Sequence, residues 1–420
     1  MHLSFPFPPV IDTSSLSLLP GDVLRPFSLY IHFPYCLTKC PYCDFTSYPT
    51  DSSSIPHVEY AEAVIKELSF YLTNRFERGR GRILHSIFLG GGTPSLWEPE
   101  EAGRVLAFIK SHCECMTDME ITLECNPTSF SLDHAKQWVG AGINRFSIGV
   151  QALKAEQLQF LGRTHGVRAA EEAVQGALLS GAKVSADLIV GLSGQPPDDA
   201  CEQALRLCHL GLKHLSCYQL TVESGTRFGQ LARQGKLPLA EESQVAETFL
   251  SLQRVLDQAG LSPYEISNFA VPGEEAQHNL AYWRGWEYLG VGCGAVGFYL
   301  FDSSPIRGVR YRNPLQPRSY FQMTLYREDP SRENNPLDIW AEELDALTLF
   351  KERLMLGLRL AEGIDVAYHA DALGIQPWTE EREQQVQWLI DQRRLKREGD
   401  RLWIPREAWL WADDTAARLF

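Results

Sequence analysis

Cys36-Leu-Thr-Lys-Cys40-Pro-Tyr-Cys43 gathers three thiols on one short loop, directly after the apolar, β-like run Leu29-Tyr-Ile-His-Phe33. Three thiolates can hold three irons of a four-iron cluster, which leaves the fourth iron open to an exogenous ligand. An incomplete ligand set signals chemistry rather than bracing, as in catalytic zinc sites that reserve a position for water or substrate. Two other readings compete with this one. Free cysteines are often inert, small apolar core residues, and a zinc ion could take His32 as its fourth ligand. No second tight Cys/His pair supports zinc, because Cys113-Glu-Cys115 and Cys201/Cys208 lack that form.

Working outward, short apolar runs alternate with amphipathic stretches. Strands are expected at Leu29–Phe33, Ser86–Leu89, Met119–Glu124, Arg145–Gly149, Lys183–Ile189 and His214–Leu220. Helices are expected between them at Val58–Phe76, Glu100–Ser111, Val167–Ser180 and Asp198–Leu210. Strands joined by crossover helices build a parallel α/β sheet. Six such units predict an incomplete (β/α)6 relative of the eight-stranded barrel.

The unusual residues fall at the ends of these strands. The cysteine loop follows the first strand, Gly90-Gly-Gly92-Thr93-Pro94 the second, and Glu124-Cys-Asn-Pro127 closes the third. Gln151 follows the fourth, and Asp187 lies in the fifth, before Gly191-Leu-Ser-Gly194. Binding groups of β/α barrels gather at the C-terminal strand ends. Three glycines allow close backbone approach and can present N–H donors to a ligand, or can simply make a tight turn. Glu124 and Asp187 suit an amino group or a ribose hydroxyl, although either alone would read as a cap or a surface carboxylate.

The chain has 420 residues, 44% hydrophobic and 22% charged, enough for one large domain and one or two smaller ones. A net charge of −14 argues against an electrostatic grip on nucleic acid or anionic membrane. The longest apolar run, Tyr288 to Phe301, is too short and glycine-rich for a transmembrane segment. The N-terminal residues lack the pattern of a signal peptide. Ten cysteines without a disulfide-like framework suit a reducing, cytoplasmic setting.

The C-x3-C-x2-C spacing, with Tyr42 before the last cysteine, resembles the radical S-adenosylmethionine superfamily. Within it, Tyr30-Ile-His-Phe-Pro-Tyr-Cys36, Gly90-Gly-Gly-Thr-Pro-Ser95, Ser147-Ile-Gly-Val-Gln151 and Asp187-Leu-Ile-Val-Gly-Leu192 look like the oxygen-independent coproporphyrinogen III oxidase group. The likeness continues through Tyr218-Gln-Leu-Thr-Val-Glu223 and Leu354-Met-Leu-Gly-Leu-Arg359. It implies a 4Fe-4S cluster on Cys36, Cys40 and Cys43. It also implies S-adenosylmethionine contacts at Tyr30, Tyr42, Gly92, Thr93, Glu124, Gln151, Arg163 and Asp187. Arg163 would take the cofactor's carboxylate with its planar fork; otherwise it is an ordinary solvated arginine.

Two branches of this group differ in sequence. The decarboxylating oxidases carry a further cysteine two residues after the last cluster ligand, where this chain has Phe45. The heme-chaperone branch, HemW, lacks it and carries H-N-x-x-Y-W, present here as His278-Asn279-Leu-Ala-Tyr282-Trp283. That likeness implies heme binding at His278, Asn279, Tyr282 and Trp283. Histidine is a common heme-iron ligand and tyrosine a rarer one; four apart, the two share a helical face, and Trp283 could stack on a porphyrin edge. The bland alternative is a helix start packing aromatics into a domain interface. The branch usually has a histidine where this chain has Val296, and Cys293 nearby reads as a small apolar filler.

The expected organisation is an irregular arm over residues 1–27, a partial barrel over 28–235 and a connecting region with the heme motif over 236–336. A winged-helix-like α+β domain over 337–420 follows, with helices Glu342–Leu360 and Glu381–Asp391 and a hairpin at Arg394–Arg397 and Arg401–Ile404. Such a tail suits a lid or a docking role in so acidic a chain. The resemblance points to a protein that holds heme and passes it to an acceptor hemoprotein, with a homodimer as its assembly. The alternative is a radical coproporphyrinogen III decarboxylase.

Overall fold

The computed structural model describes residues 24–74, 76, 81–301, 307–325 and 340–420. Most of the expected arm and the boundary near residue 337 lie outside these residues. Six parallel strands form the centre: β1 (Arg25–Phe33), β2 (Arg82–Gly91), β3 (Cys115–Cys125), β4 (Arg145–Gln151), β5 (Lys183–Val190) and β6 (His214–Gln219). Between them run the helices α1 (His57–Asn74), α2 (Pro99–His112), α3 (Leu132–Ala141), α4 (Ala155–Phe160), α5 (Val167–Leu179) and α6 (Pro197–His209). All six expected strands are present, lying side by side in chain order. Residues 25–27, assigned to the arm from sequence, already belong to β1.

Alternation explains the hollow. Phe27, Leu29, Ile31 and Phe33 of β1 join the core beneath the helices, with Ile87, Leu89, Ile121, Leu123, Phe146 and Ile148 from the next three strands. Successive side chains point to opposite faces, so the other set of positions turns inward. Those inward residues include Tyr30, Phe88, Thr122, Glu124, Arg145 and Ser147. Ordinary barrels fill this space with layers of valine, isoleucine and leucine. Here small or polar side chains leave it open.

The connecting region is not a separate layer, because its strands extend the same sheet at both edges. After α7 (Arg227–Arg233) and α8 (Glu242–Gln258), β7 (Ser262–Pro263) and β8 (Asn268–Ala270) add antiparallel to the β6 side. Helix α9 (Gln277–Trp283) leads to β9 (Glu287–Val291), which pairs parallel with β1. The antiparallel strands β10 (Val296–Leu300), β11 (Gly308–Arg312) and β12 (Trp340–Leu344) complete a twelve-stranded sheet.

The C-terminal unit has its own core around Leu349, Phe350, Leu354, Leu389 and Trp409. Its order is α11 (Ala346–Gly357), β13 (Ile364–Asp365), α12 (Val366–Leu373), α13 (Glu380–Asp391) and the hairpin β14 (Lys396–Glu398) with β15 (Arg401–Trp403). Helix α10 (Pro317–Thr324) precedes it and packs on α1. This is a winged-helix-like arrangement. The largest boundary difference from the sequence expectation is at the first helix, which begins at Ala346 rather than Glu342. Trp340–Leu344 pair with Gly308–Arg312 instead, and Asp345 accepts from the Thr348 N–H at 2.7 Å as an N-cap.

Candidate functional site

A cavity of about 540 Å³ occupies the lumen. At its mouth sit Cys36, Cys40 and Cys43, none of them in a disulfide. The base of their loop is clamped where Tyr35–Cys36 pairs with Tyr48–Pro49, and the Cys43 N–H closes a turn on the Cys40 carbonyl at 3.1 Å. Burial raises the Cys36 and Cys43 thiols above their ordinary range, so a bound metal would have to drive their deprotonation. Among the described residues no three His, Cys, Asp or Glu side chains converge on a single-ion site. A cluster does not require that convergence, since each sulfur binds its own iron.

His32 does not complete a zinc site. Its Nε2 donates to the Thr46 carbonyl at 2.7 Å, so its Nδ1 must accept from the Tyr30 hydroxyl at 2.9 Å. Both ring nitrogens are occupied, and burial lowers its pKa to about 4.

The glycine run plays a different part from the one expected. The N–H groups of Gly91, Gly92 and Thr93 are spent on Glu124 Oε2 (3.0 Å), the Phe33 carbonyl (2.7 Å) and the Tyr35 carbonyl (2.8 Å). They lock the cysteine strand and leave no free donors for a ligand. A Cβ on Gly92 would lie 2.5 Å from the Tyr35 oxygen, and one on Gly91, whose φ is +115°, would lie 2.6 Å from His32. Glycine is required here for close packing.

Tyr42, Thr93, Glu124, Gln151, Arg163 and Asp187 also line the cavity. Gln151 sits at φ +66°, beside a register shift between β4 and β5 that turns its side chain at the strand end. Burial, then the Asp187 charge, raises the Glu124 carboxyl to about 8 against the pull of the Gly91 N–H. Burial raises Asp187 as well, although Ser147 Oγ donates to it at 3.2 Å. Arg163 directs Nη1 to Cys40 Sγ at 3.5 Å and Nη2 to the Gly149 carbonyl at 3.1 Å, while its buried Nε has no partner. Three thiols, an arginine against one of them and an unspent guanidinium donor fit a cluster with an anionic group beside it.

The far end of the lumen is formed by α9, which packs on β1 and β2. Glu120 accepts from the Gln277 and His278 N–H groups at 3.1 and 3.0 Å, and Asn279 donates to the Tyr264 hydroxyl at 3.2 Å. His278, Asn279 and Tyr282 line the same cavity as the cysteines. His278 is buried between Phe88, at 5.1 Å between ring centroids, and Tyr282, at 4.9 Å. Its Nδ1 bonds to Ser86 Oγ at 2.9 Å, its Nε2 is buried and unpartnered, and desolvation lowers its pKa to about 3. A neutral imidazole nitrogen without a partner fits a heme iron.

Trp283 departs from the expected set. It does not line the cavity; the Arg359 guanidinium of the C-terminal unit lies 4.6 Å over its ring. The next residue on a helix points about 100° away from its neighbour, which carries Trp283 out to the domain interface. Cys293 is a filler, buried with its thiol donating to the Leu315 carbonyl at 3.0 Å.

Sequence reading missed Ser86, Thr122, Arg145 and His214 as site residues. Thr122 Oγ1, Arg145 Nη2 and His214 Nδ1 are buried without partners, and all three residues line the cavity. The signal for them was the run of polar residues at alternate strand positions.

A model of the radical SAM superfamily matches residues 30–207, and one of the HemN C-terminal domain matches residues 344–411. The heme chaperone HemW of Haemophilus influenzae is 39% identical over 73% of this chain and 78% of its own length. HemW of Mycobacterium tuberculosis strain H37Rv is 31% identical over 96% of each chain. The chain belongs to the HemW family of radical SAM proteins. A mitochondrial radical S-adenosyl methionine domain-containing protein 1 of Danio rerio is also similar, at 36% identity over 80% of this chain and 73% of its own. Among solved structures, coproporphyrinogen III oxidase of Escherichia coli matches with a TM-score of 0.75. It covers 97% of this chain and 92% of that one at 19% identity, a likeness of fold. Membership in a radical SAM family implies a 4Fe-4S cluster and S-adenosylmethionine. Among the described residues no helix is long and apolar enough to cross a membrane.

Proposed function

We propose that this HemW-family chain is a heme chaperone that holds heme on His278 in the barrel lumen and passes it to an acceptor hemoprotein. The observation that carries the reading is the buried, unpartnered Nε2 of His278, on a neutral ring whose residue lines a cavity large enough for one sizeable ligand. Asn279 and Tyr282 line the same end of that cavity. Cys36, Cys40 and Cys43 are the proposed cluster ligands at the mouth. Arg163, Glu124 and Asp187 are proposed to hold S-adenosylmethionine beside them, with Tyr30, Tyr42, Gly92, Thr93 and Gln151 shaping its place. The chemistry such a cluster supplies is one-electron reduction of S-adenosylmethionine. Trp283 is assigned to the domain interface instead.

Heme titration of anaerobically reconstituted protein tests the reading. His278→Ala is expected to weaken heme binding at least tenfold while leaving the iron content and the cluster spectrum as in the parent. Unchanged heme affinity would remove His278 from the site. Formation of protoporphyrinogen from coproporphyrinogen III by the same sample would favour the decarboxylase reading in its place.

A further inference from the structure

We infer that the lumen carries a carboxylate subsite, built from Arg145, Thr122 and His214, that takes a propionate of the heme held at His278. The inference rests on that reading of His278 and adds to it what orients the macrocycle.

Three unspent polar atoms define the subsite. Among the described residues, Arg145 Nη2, Thr122 Oγ1 and His214 Nδ1 are buried without a partner, on residues 1%, 2% and 2% exposed. Strand alternation puts Thr122 and Arg145 on the lumen side, because their neighbours Ile121, Leu123 and Phe146 join the core beneath the helices while they line the cavity. The other arm of Arg145 is occupied: Nη1 lies 3.7 Å from Glu120 and donates to the Glu274 carbonyl at 3.2 Å. Asp187, which also feels the Arg145 charge, is met by Ser147 Oγ at 3.2 Å. Burial, then the Arg145 charge, lowers the His214 pKa well below its ordinary value, so that ring is neutral. The Tyr264 hydroxyl accepts from Asn279 at 3.2 Å and spends its own hydrogen on His214 Nε2 at 2.9 Å, which leaves the ring proton on Nδ1. A guanidinium arm, a hydroxyl and a ring N–H are a donor set for a carboxylate.

Direct contacts tie this set to the helix that carries His278. Glu120 accepts from the His278 N–H at 3.0 Å and lies against Arg145, and Tyr264 joins His214 to Asn279. The register gives the layout. Tyr30, Phe88, Thr122 and Arg145 are successive partners across β1, β2, β3 and β4, and Phe88 stacks on the His278 ring. Two strand spacings, about 10 Å, separate Phe88 from Arg145. A heme carboxylate ends a flexible two-carbon arm at the ring edge, a comparable reach from the iron. The rung is aromatic at one end and cationic at the other. Heme has the same polarity, with an apolar body and both acids along one edge.

The ligand itself supplies the test. Reconstituted full-length protein would be titrated with ferric heme and with its dimethyl ester, which keeps the iron and the ring but caps both acids. The parent is expected to bind heme about ten- to a hundredfold more tightly than the ester. Arg145→Gln is expected to bring that ratio close to one while leaving the ester's affinity as in the parent. Because this change strands Glu120, Thr122→Val is measured beside it; it leaves the ion pair intact and is expected to cut the ratio about threefold. Should Arg145→Gln lose its cluster spectrum, Thr122→Val decides alone. Equal binding of heme and ester by the parent, or the parental ratio in the variants, would overturn the inference. S-adenosylmethionine carries a carboxylate too, so labelled S-adenosylmethionine is dialysed against the same samples. A tenfold loss of label with the heme-to-ester ratio unchanged would give the subsite to that cofactor instead. If His278→Ala lost both heme and ester, heme at His278 would survive even where the ratio fails. If His278→Ala kept the parent's heme affinity, the reading itself would fall and the inference with it.

Discussion

Ser86 Oγ lies 2.9 Å from His278 Nδ1 and is itself bonded to Ser28 Oγ at 2.8 Å, a buried chain running from the sheet to the ring. It occupies one imidazole nitrogen and fixes the ring, so the other is left buried without a partner on a residue that lines the lumen. Ser86→Ala would leave Nδ1 buried without a partner, at a cost of about 1 kcal/mol or more. Heme binding is expected to weaken about five- to tenfold, with iron content unchanged. Heme titration of that variant measures it, and parental affinity would show that the serine does not position the ring.

The depressed His278 pKa, at about 3 through burial, gives two pH signatures. The ring stays neutral and able to ligate well below pH 6.5, so heme affinity is expected to be flat from pH 8 to 5.5. An exposed histidine of ordinary pKa would lose about tenfold over that range. For stability, the unfolded chain binds a proton below about pH 6.5 that the folded chain refuses down to about 3. Stability therefore falls as pH drops through this window. His32, lowered to about 4, adds in the same sense. Denaturant midpoints of parent and His278→Gln at pH 7.5 and 5 give the slope, which is expected to be shallower in the variant.

Gly92 and Gly140 make a matched pair. A Cβ at Gly92 would sit 2.5 Å from the Tyr35 oxygen, whereas at Gly140, within α3, nothing lies within 4 Å. Gly92→Ala has to push the cysteine strand aside, and overpacking of this kind costs about 1–3 kcal/mol. It is expected to lower both the denaturant midpoint and the iron retained after reconstitution. Gly140→Ala is expected to stabilise by up to about 1 kcal/mol. Equal iron retention in the two variants would contradict the clamp.

Much of the lumen was legible because strand alternation and strand-end position depend only on local sequence. Leu29 and Ile31 against Tyr30 and His32 announce which face is core. The thiols and Glu124 fall at the mouth because each closes a strand of one parallel sheet. What was not legible depends on long-range pairing. Glu342–Leu344 reads as the start of a helix until Gly308–Arg312 offers Trp340–Leu344 a partner strand. The glycine amides look free until the carbonyls of Phe33 and Tyr35 are found beside them. Trp283 belongs to a motif with His278, yet one helical step and the distant Arg359 decide that it faces the other way.

Arg163 is where the mouth can be tested without removing a thiol. Its Nη1 is 3.5 Å from Cys40 Sγ, its Nη2 is held by the Gly149 carbonyl, and its Nε is unspent. A lysine keeps the charge but offers a point donor in place of a planar fork. Arg163→Lys can approach the sulfur or an incoming carboxylate, not both. Charge-assisted hydrogen bonds contribute about 1.5–3 kcal/mol, so S-adenosylmethionine is expected to bind about ten- to a hundredfold more weakly. The three cysteines are untouched, so iron content is expected to match the parent. Equilibrium dialysis with labelled S-adenosylmethionine reads the first quantity and elemental analysis the second. Parental affinity for S-adenosylmethionine would assign the arginine to bracing the cysteine loop, and loss of iron would assign it to cluster assembly.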